Sequence, residues 1–272
     1  MKKIFLMLLC AAGLMAAQAA DGPLPGKFSV SENHQVRFSQ GNLQFQPNGI
    51  FWRFAEHQYD YVGGATAGNV NYAFSKCNNA FIDRYYDGWI DLFGWGTGEE
   101  PWNAAEESRL YGMFNEWGAN TIMNGGILID GWRTLTFDEW FYLLVSRPNA
   151  ENLRGQATVG KVHGYVLLPD DWQLPKKISF TPCPNDWTTN TYSGAQWEKM
   201  EKAGAVFLPA GGFRSGNEVQ VVQVMGFYWS STLFENNQDD ARDIFFSEKR
   251  IGPKDHEKRF YGLSVRLVLD AQ

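Results

Sequence analysis

The sequence predicts an α+β fold in which two capped helices pack on antiparallel sheet, behind a β-rich amino-terminal segment and with long loops. Three observations predict it. Residues 28–63 alternate with period two between turn residues, two separate capping boxes open amphipathic helices, and the carboxy-terminal third holds several short β-rich runs.

Residues 1–19 read as an export signal that precedes the fold. Lys2 and Lys3 begin it, an apolar run follows from Ile4, and Ala17-Gln18-Ala19 forms a small-x-small cleavage site. The run is short for a membrane span, which needs about 18 unbroken apolar residues or more. Cys10 follows Leu8-Leu9 rather than a small residue, which argues against lipidation. Residues 20–27 form a linker. Residues 28–63 form the β-rich segment, with Val36, Phe38, Leu43, Phe45, Phe51 and Trp52 strand-like around turns at Gln40-Gly41 and Pro47-Asn48-Gly49. Gln46-Pro47-Asn48 has the look of the sugar-selecting loop of calcium lectins, but between two strands a hairpin turn is the better account.

The domain proper spans 64–272 and is read as one compact unit with 28–63. Residues 64–131 are rich in Gly, Asn and Trp and read as irregular loops. In "GWRTLTFDEWFYLL" (131–144), Asp138 and Glu139 stand among aromatic residues, a setting that can raise a carboxyl pKa for acid–base work. Their positions give a plainer account. Thr136 and Glu139 form a capping box, Leu135 and Trp140 a hydrophobic staple, and Asp138 lies where the helix dipole favours an anion. Phe137, Trp140, Phe141, Leu144 and Val145 make one apolar face. Ser193 with Gln196, and Tyr192 with Trp197, repeat the device before a stop at Gly204. "GYVLLP" (164–169), "AVFLPAGGF", "GFYWSST" (226–232), "ARDIFFS" (241–247) and "YGLSVRLVL" (261–269) read as strands, the last three closing an antiparallel sheet.

Removing Lys2 and Lys3 leaves 22 basic residues against 30 acids, a formal charge of −8. An acidic chain without a basic stripe is a poor partner for nucleic acid or an anionic membrane surface. The mature chain keeps Cys77 and Cys183, which an oxidising compartment permits to bond, and four scattered histidines with no metal-binding spacing. Trp132, Trp140, Trp197 and Trp229 sit on patterned elements and read as core. Trp89, Trp95 and Trp102 lie in Gly-rich loops, where they either stack on sugars or anchor the loops.

The order "WRTLTFDEW", second helix, "FLPAGG", "YWSST" and "GLSVRLV" resembles the Fibrobacter succinogenes major paralogous domain of exported Bacteroidetes proteins, over residues 130–269. That family is related to the C-type lectin-like fold and to the formylglycine-generating, sulfatase-modifying enzymes. The resemblance implies a C-type lectin-like domain, but no single activity. The paired redox cysteines of the sulfatase-modifying relatives have no match between Gly226 and Leu269, and no histidine pair supplies the iron site of the related sulfoxide synthases. Where calcium lectins place Trp-Asn-Asp, this chain has Trp229-Ser230-Ser231, and a serine is a poor calcium ligand beside a carboxylate.

Other candidates each have a bland counterpart. Ser230 and Ser231 lack a nucleophile elbow and read as strand polarity. "ENNQDDARD" (235–243) lacks EF-hand spacing and reads as a hairpin loop, although polar loops on a rigid sheet are where ligands bind. "SEKRIGPKDHEKRF" (247–260) reads as a solvated turn, or as a ligand rim beside "GGFRSGNEVQ" (211–220). The expectation is therefore an exported protein, periplasmic, on the outer-membrane surface or secreted. It binds a glycan or a neighbouring-cell or host surface protein without catalysis, cofactor or metal, calcium being unsupported by ligand spacing. The expected ligand-binding residues are Arg214, Asn217, Glu235, Asn236, Asn237, Asp239, Arg250, Lys254 and His256. A structural subunit or tip adhesin of a surface assembly is the alternative, and a sulfatase-modifying-type enzyme using Cys77 and Cys183 the third.

Overall fold

The computed structural model describes residues 22–63, 79–80, 83–98, 113–126 and 130–271. The proposed leader, Cys77, Trp102 and much of the loop-rich region lie outside the described residues. The fold is α+β and mostly sheet. The amino-terminal alternation becomes two hairpins: β1 (Phe28–Ser31) pairs with β2 (His34–Phe38), and β3 (Leu43–Gln46) with β4 (Phe51–Phe54). Pro47–Gly49 forms the 3-10 turn of the second hairpin, so Gln46-Pro47-Asn48 is a turn.

Both capping boxes are present. At α1 (Phe137–Phe141), the Glu139 amide donates to the Thr136 hydroxyl at 3.2 Å and the Thr136 amide donates to the Glu139 carboxylate at 2.8 Å. Arg133 adds two bonds to Glu139 at 2.8 Å. Burial opposes ionisation of Glu139, but Arg133 and the Thr136 bonds outweigh it and hold its carboxyl below the usual range. That is opposite in direction to the rise an aromatic setting can impose. The expected apolar face is corrected in the next turn. Tyr142–Ser146 is a π-turn, closed by the Arg147 amide on the Tyr142 carbonyl at 2.8 Å. The extra residue rotates the face, so Leu143 and Leu144 are buried and Val145 is exposed.

At α2 (Gly194–Lys202), Ser193 and Gln196 form the cap, and the rings of Tyr192 and Trp197 lie 6.1 Å apart. Gly204 stops the helix at φ 100°, and a Cβ there would meet the Gly26 Cα at 2.7 Å. The helix packs on a four-stranded sheet of order β7-β5-β6-β8, made by β5 (Arg154–Val159), β6 (Val162–Leu167), β7 (Thr191–Tyr192) and β8 (Val206–Pro209). β5, with Arg, Gly, Gln and Thr among its six residues, carries too little apolar alternation to be read from sequence.

β9 (Phe213–Ser215) and β10 (Glu218–Gln220) form a small hairpin. β11 (Met225–Leu233), β12 (Asp240–Ser247) and β13 (Ile251–Lys258) form an antiparallel sheet in that order. Two expectations change here. Residues 247–260 are not a solvated turn, because 251–258 is the third strand of this sheet. Residues 261–269 do not close it: Gly262, Leu263 and Ser264 make single bridges to Arg214, Phe93 and Tyr228, and only β14 (Val268–Asp270) is a strand, on β2. Every residue of Leu263–Val268 is buried, and the segment runs between two cores instead of along one.

Three apolar clusters result. Phe28, Phe38, Trp140, Tyr228 and Phe246 belong to the first, Trp52, Phe93, Trp95, Trp132 and Trp229 to the second, and Trp197 with Phe207 to the third. The four Trp residues read as core are all buried, each at a position where truncation to Ala costs about 3–5 kcal/mol. β11 and β12 stand between the first two clusters and are stiffened from both sides. That rigidity positions the edge strand β13.

Candidate functional site

Residues directly opposite in an antiparallel pair share a face. The register sets Arg242 against His256 and Asp240 against Lys258 on one face, and Asp243 against Asp255 and Ala241 against Glu257 on the other. The run Lys254-Asp255-His256-Glu257-Lys258 therefore sorts its charges by strand geometry, cations to one side and carboxylates to the other.

The cationic face runs against half-buried aromatic rings. The Lys254 ammonium lies 4.5 Å over the Phe141 ring, and Phe141 is 6.3 Å from Phe137. The Arg242 guanidinium sits 4.5 Å from both Phe137 and Phe234. His256 stacks on Phe234 at 3.8 Å and 12°. Such contacts are worth about 0.5–1 kcal/mol each at exposed sites, enough to hold long side chains in place. Glu235 pairs with Arg242, while Asp240 takes Lys258 at 2.6 Å and His256 at 3.4 Å. Its own backbone amide and then Arg242 hold the Glu235 carboxyl below the usual range. The hydrogen bond to Asp240 raises Lys258.

The loop 234–239 joins β11 to β12 at one end of this strip. The Asp239 amide donates to Asn237 Oδ1 at 3.1 Å, Asn237 Nδ2 donates to Asp240 at 3.1 Å, and Asn236 is exposed. Of the residues expected to bind ligand, Glu235, Asn236, Asn237, Asp239, Lys254 and His256 thus share one region. The other three do not join them. Arg214 is buried and donates to the Leu92 carbonyl at 3.1 Å and the Gly216 carbonyl at 3.3 Å, so it braces a loop instead of facing a ligand. Asn217 is exposed, but in the separate β9–β10 turn. Arg250 lies in the β12–β13 turn, at the opposite end of the sheet from 234–239, with its guanidinium 4.8 Å over Phe245.

Sequence reasoning missed Arg242 and the three phenylalanines. Phe137 and Phe141 share the predicted apolar face with Trp140, but the structure leaves both rings half-buried while Trp140 is fully enclosed. The two described loop tryptophans anchor. Trp95 is buried with its indole N–H on the Ser230 carbonyl at 2.8 Å, and half-buried Trp89 lies 3.8 Å under the Arg53 guanidinium.

No catalytic constellation accompanies the strip among the described residues. The Ser230 hydroxyl is committed to the Arg242 carbonyl at 2.7 Å. Cys183 is half-buried with its sulfur 4.0 Å from the Tyr165 hydroxyl. A pocket of about 260 Å³ beside Trp132 has Asp130 as its single ionisable lining residue. Among the described residues no three His, Cys, Asp or Glu side chains are placed to hold a metal ion, and no helix is long and apolar enough to cross a membrane. No family model matches the chain, and neither a curated protein nor a solved structure matches it.

Proposed function

We propose that this chain is an exported, non-enzymatic binding protein whose cation–aromatic strip grips a glycan or a surface protein. The observation that carries the reading is Lys254. Its ammonium is exposed, steadied over Phe141, and has no carboxylate partner among the described residues. Beside it His256 and Arg242 are held on rings, so a ligand meets donors whose conformational freedom is already reduced. The order of helices and strands from "WRTLTFDEW" to "GLSVRLV" supports a C-type lectin-like scaffold for such a surface, and the sequence of residues 1–19 supports export.

The experiment is an array of glycans and surface proteins probed with residues 20–272, with and without chelator. Saturable binding that survives chelator and falls at least tenfold in Lys254→Ala/His256→Ala supports the reading. Turnover of any bound compound, or full binding by that double variant, removes it.

A further inference from the structure

The other face of β13 carries an arrangement that the strip does not use. Asp243 is fully buried, and neither of its carboxylate oxygens has a hydrogen-bond partner. Across the sheet its neighbours are Trp229 on β11 and Asp255 on β13. Glu257, two residues along β13, shares that face opposite Ala241, and both β13 acids are partly buried. A bulge between Asp243 and Phe245 follows at once. Three carboxyls therefore converge at the end of a regular ladder, and no other residue donates to the innermost, whose own backbone amide is the one group that favours its charge by hydrogen bonding.

Arg242, Arg250, His256 and Lys258 offset part of the burial effect from a distance, but none bonds to Asp243. Arg259, one step beyond β13, is buried over Trp95 and donates to the Gln238 carbonyl. β11 contributes Trp229, which does not titrate. From β12, Arg242 projects to the opposite face, where Glu235 engages it. From β13, Lys258 and His256 also lie on that opposite face, against Asp240. Arg250 in the connecting turn is engaged over Phe245. A carboxylate buried without donor or counter-ion costs several kcal/mol, and a carboxyl escapes that cost by keeping its proton. Burial, then Asp255 and Glu257, push the Asp243 carboxyl well above its ordinary range. Burial, with Asp255 and Asp240 adding, pushes Glu257 up to about 7, and burial also raises Asp255.

We propose that Asp243, Asp255 and Glu257 form one proton-holding cluster that keeps the β13 edge seated on β12, and that alkaline conditions unseat this edge by stripping the protons to solvent. A carboxyl held up in the folded state stabilises fully below its unfolded value, and the contribution is lost as pH rises through the folded value. The carboxyls titrate as a coupled set, so the transition belongs to the cluster and not to one residue. Lys254 and His256 ride on the same strand, so the cluster also sets the geometry of the binding strip. That last link rests on the function proposed above; the proton switch does not.

Hydrogen exchange of β13 amides in the full chain, corrected for intrinsic rates, tests it between pH 6 and pH 9. In the wild type the opening equilibrium of β13 rises by up to about tenfold per pH unit for each linked proton. In Asp243→Asn and in Glu257→Gln the slope shrinks, and in the double variant it falls to the remainder that Asp255 carries. Wild-type protection independent of pH overturns the proposal, as does a double variant with an unchanged slope. If Asp243→Asn fails to fold, the carboxyl-carbon shift of Asp243 in the wild type at pH 7 decides: protonated supports the proposal, ionised overturns it. Loss of glycan or protein binding with the pH response intact would remove the proposed function alone.

Discussion

Arg266 and Asp243 are both buried to within 1% of full enclosure, and neither has an opposite charge bonded to it. Their housings differ. Arg266 donates to Gln58 Oε1 at 2.9 Å and Asn42 Oδ1 at 3.4 Å, inside a network that continues to the Phe207 amide, the Ala205 carbonyl, Glu201 and the Tyr228 hydroxyl. Asp243 faces a tryptophan and another acid. Burial lowers Arg266 to about 10, which still leaves it charged at neutral pH. A guanidinium cannot shed its charge there and must be supplied with acceptors, whereas a carboxyl can become neutral. The interior thus builds a lattice for the cation and relies on a proton for the anion.

Four measurements break or sharpen that contrast. Gln58→Leu should be the most damaging, since it strands the guanidinium and the Phe207 amide together. Urea unfolding is expected to show a loss of roughly 3–5 kcal/mol. Arg266→Met removes the charge along with its donors, and should lose only about 1–3 kcal/mol by the same assay. If Arg266→Met proves worse than Gln58→Leu, the network is not there to serve the cation. Glu257→Gln tests the anionic side. Because the folded value is raised, wild-type stability should decline as pH climbs from about 4.5 to about 7. The variant should flatten that decline by about 1 kcal/mol once solvent screening of a partly exposed acid is allowed for. Lys254→Gln on the opposite face should lose no more than the single ring contact, about 0.5–1 kcal/mol of unfolding free energy, at every pH. A larger loss would make the strip a structural clasp and not a surface kept free.

Local chemistry was the most legible part of this molecule. Thr136–Glu139 and Ser193–Gln196 close their boxes because every partner lies within three residues. The hairpin around Pro47 was readable for the same reason. β13 was missed because strand recognition follows apolar alternation, and here the alternation is of charge sign with Pro253 near its start. Alternating charges are one way an edge strand resists unwanted pairing, so the pattern has a physical meaning that hydropathy does not register. Nothing local to Arg214 signals that Leu92, more than a hundred residues earlier, claims its guanidinium, so sequence alone makes it a surface donor. The lone Asp243 left no signature at all, since its condition depends on register across two strands.

The pairing of β2 with β14 has a consequence in time. Val36 and Phe38 lie in the second strand of the described residues, yet their partners Asp270 and Val268 lie in the fourteenth. Arg133 is likewise tied to Val268 by the backbone and to Asp270 by its side chain at 2.9 Å. A ribosome or a translocation channel delivering this polypeptide from its amino end must hand over everything between β2 and β14 before this sheet can be finished. Contacts that span so much of the chain make for slow assembly. Until Val268 emerges, Phe38 waits without its neighbour.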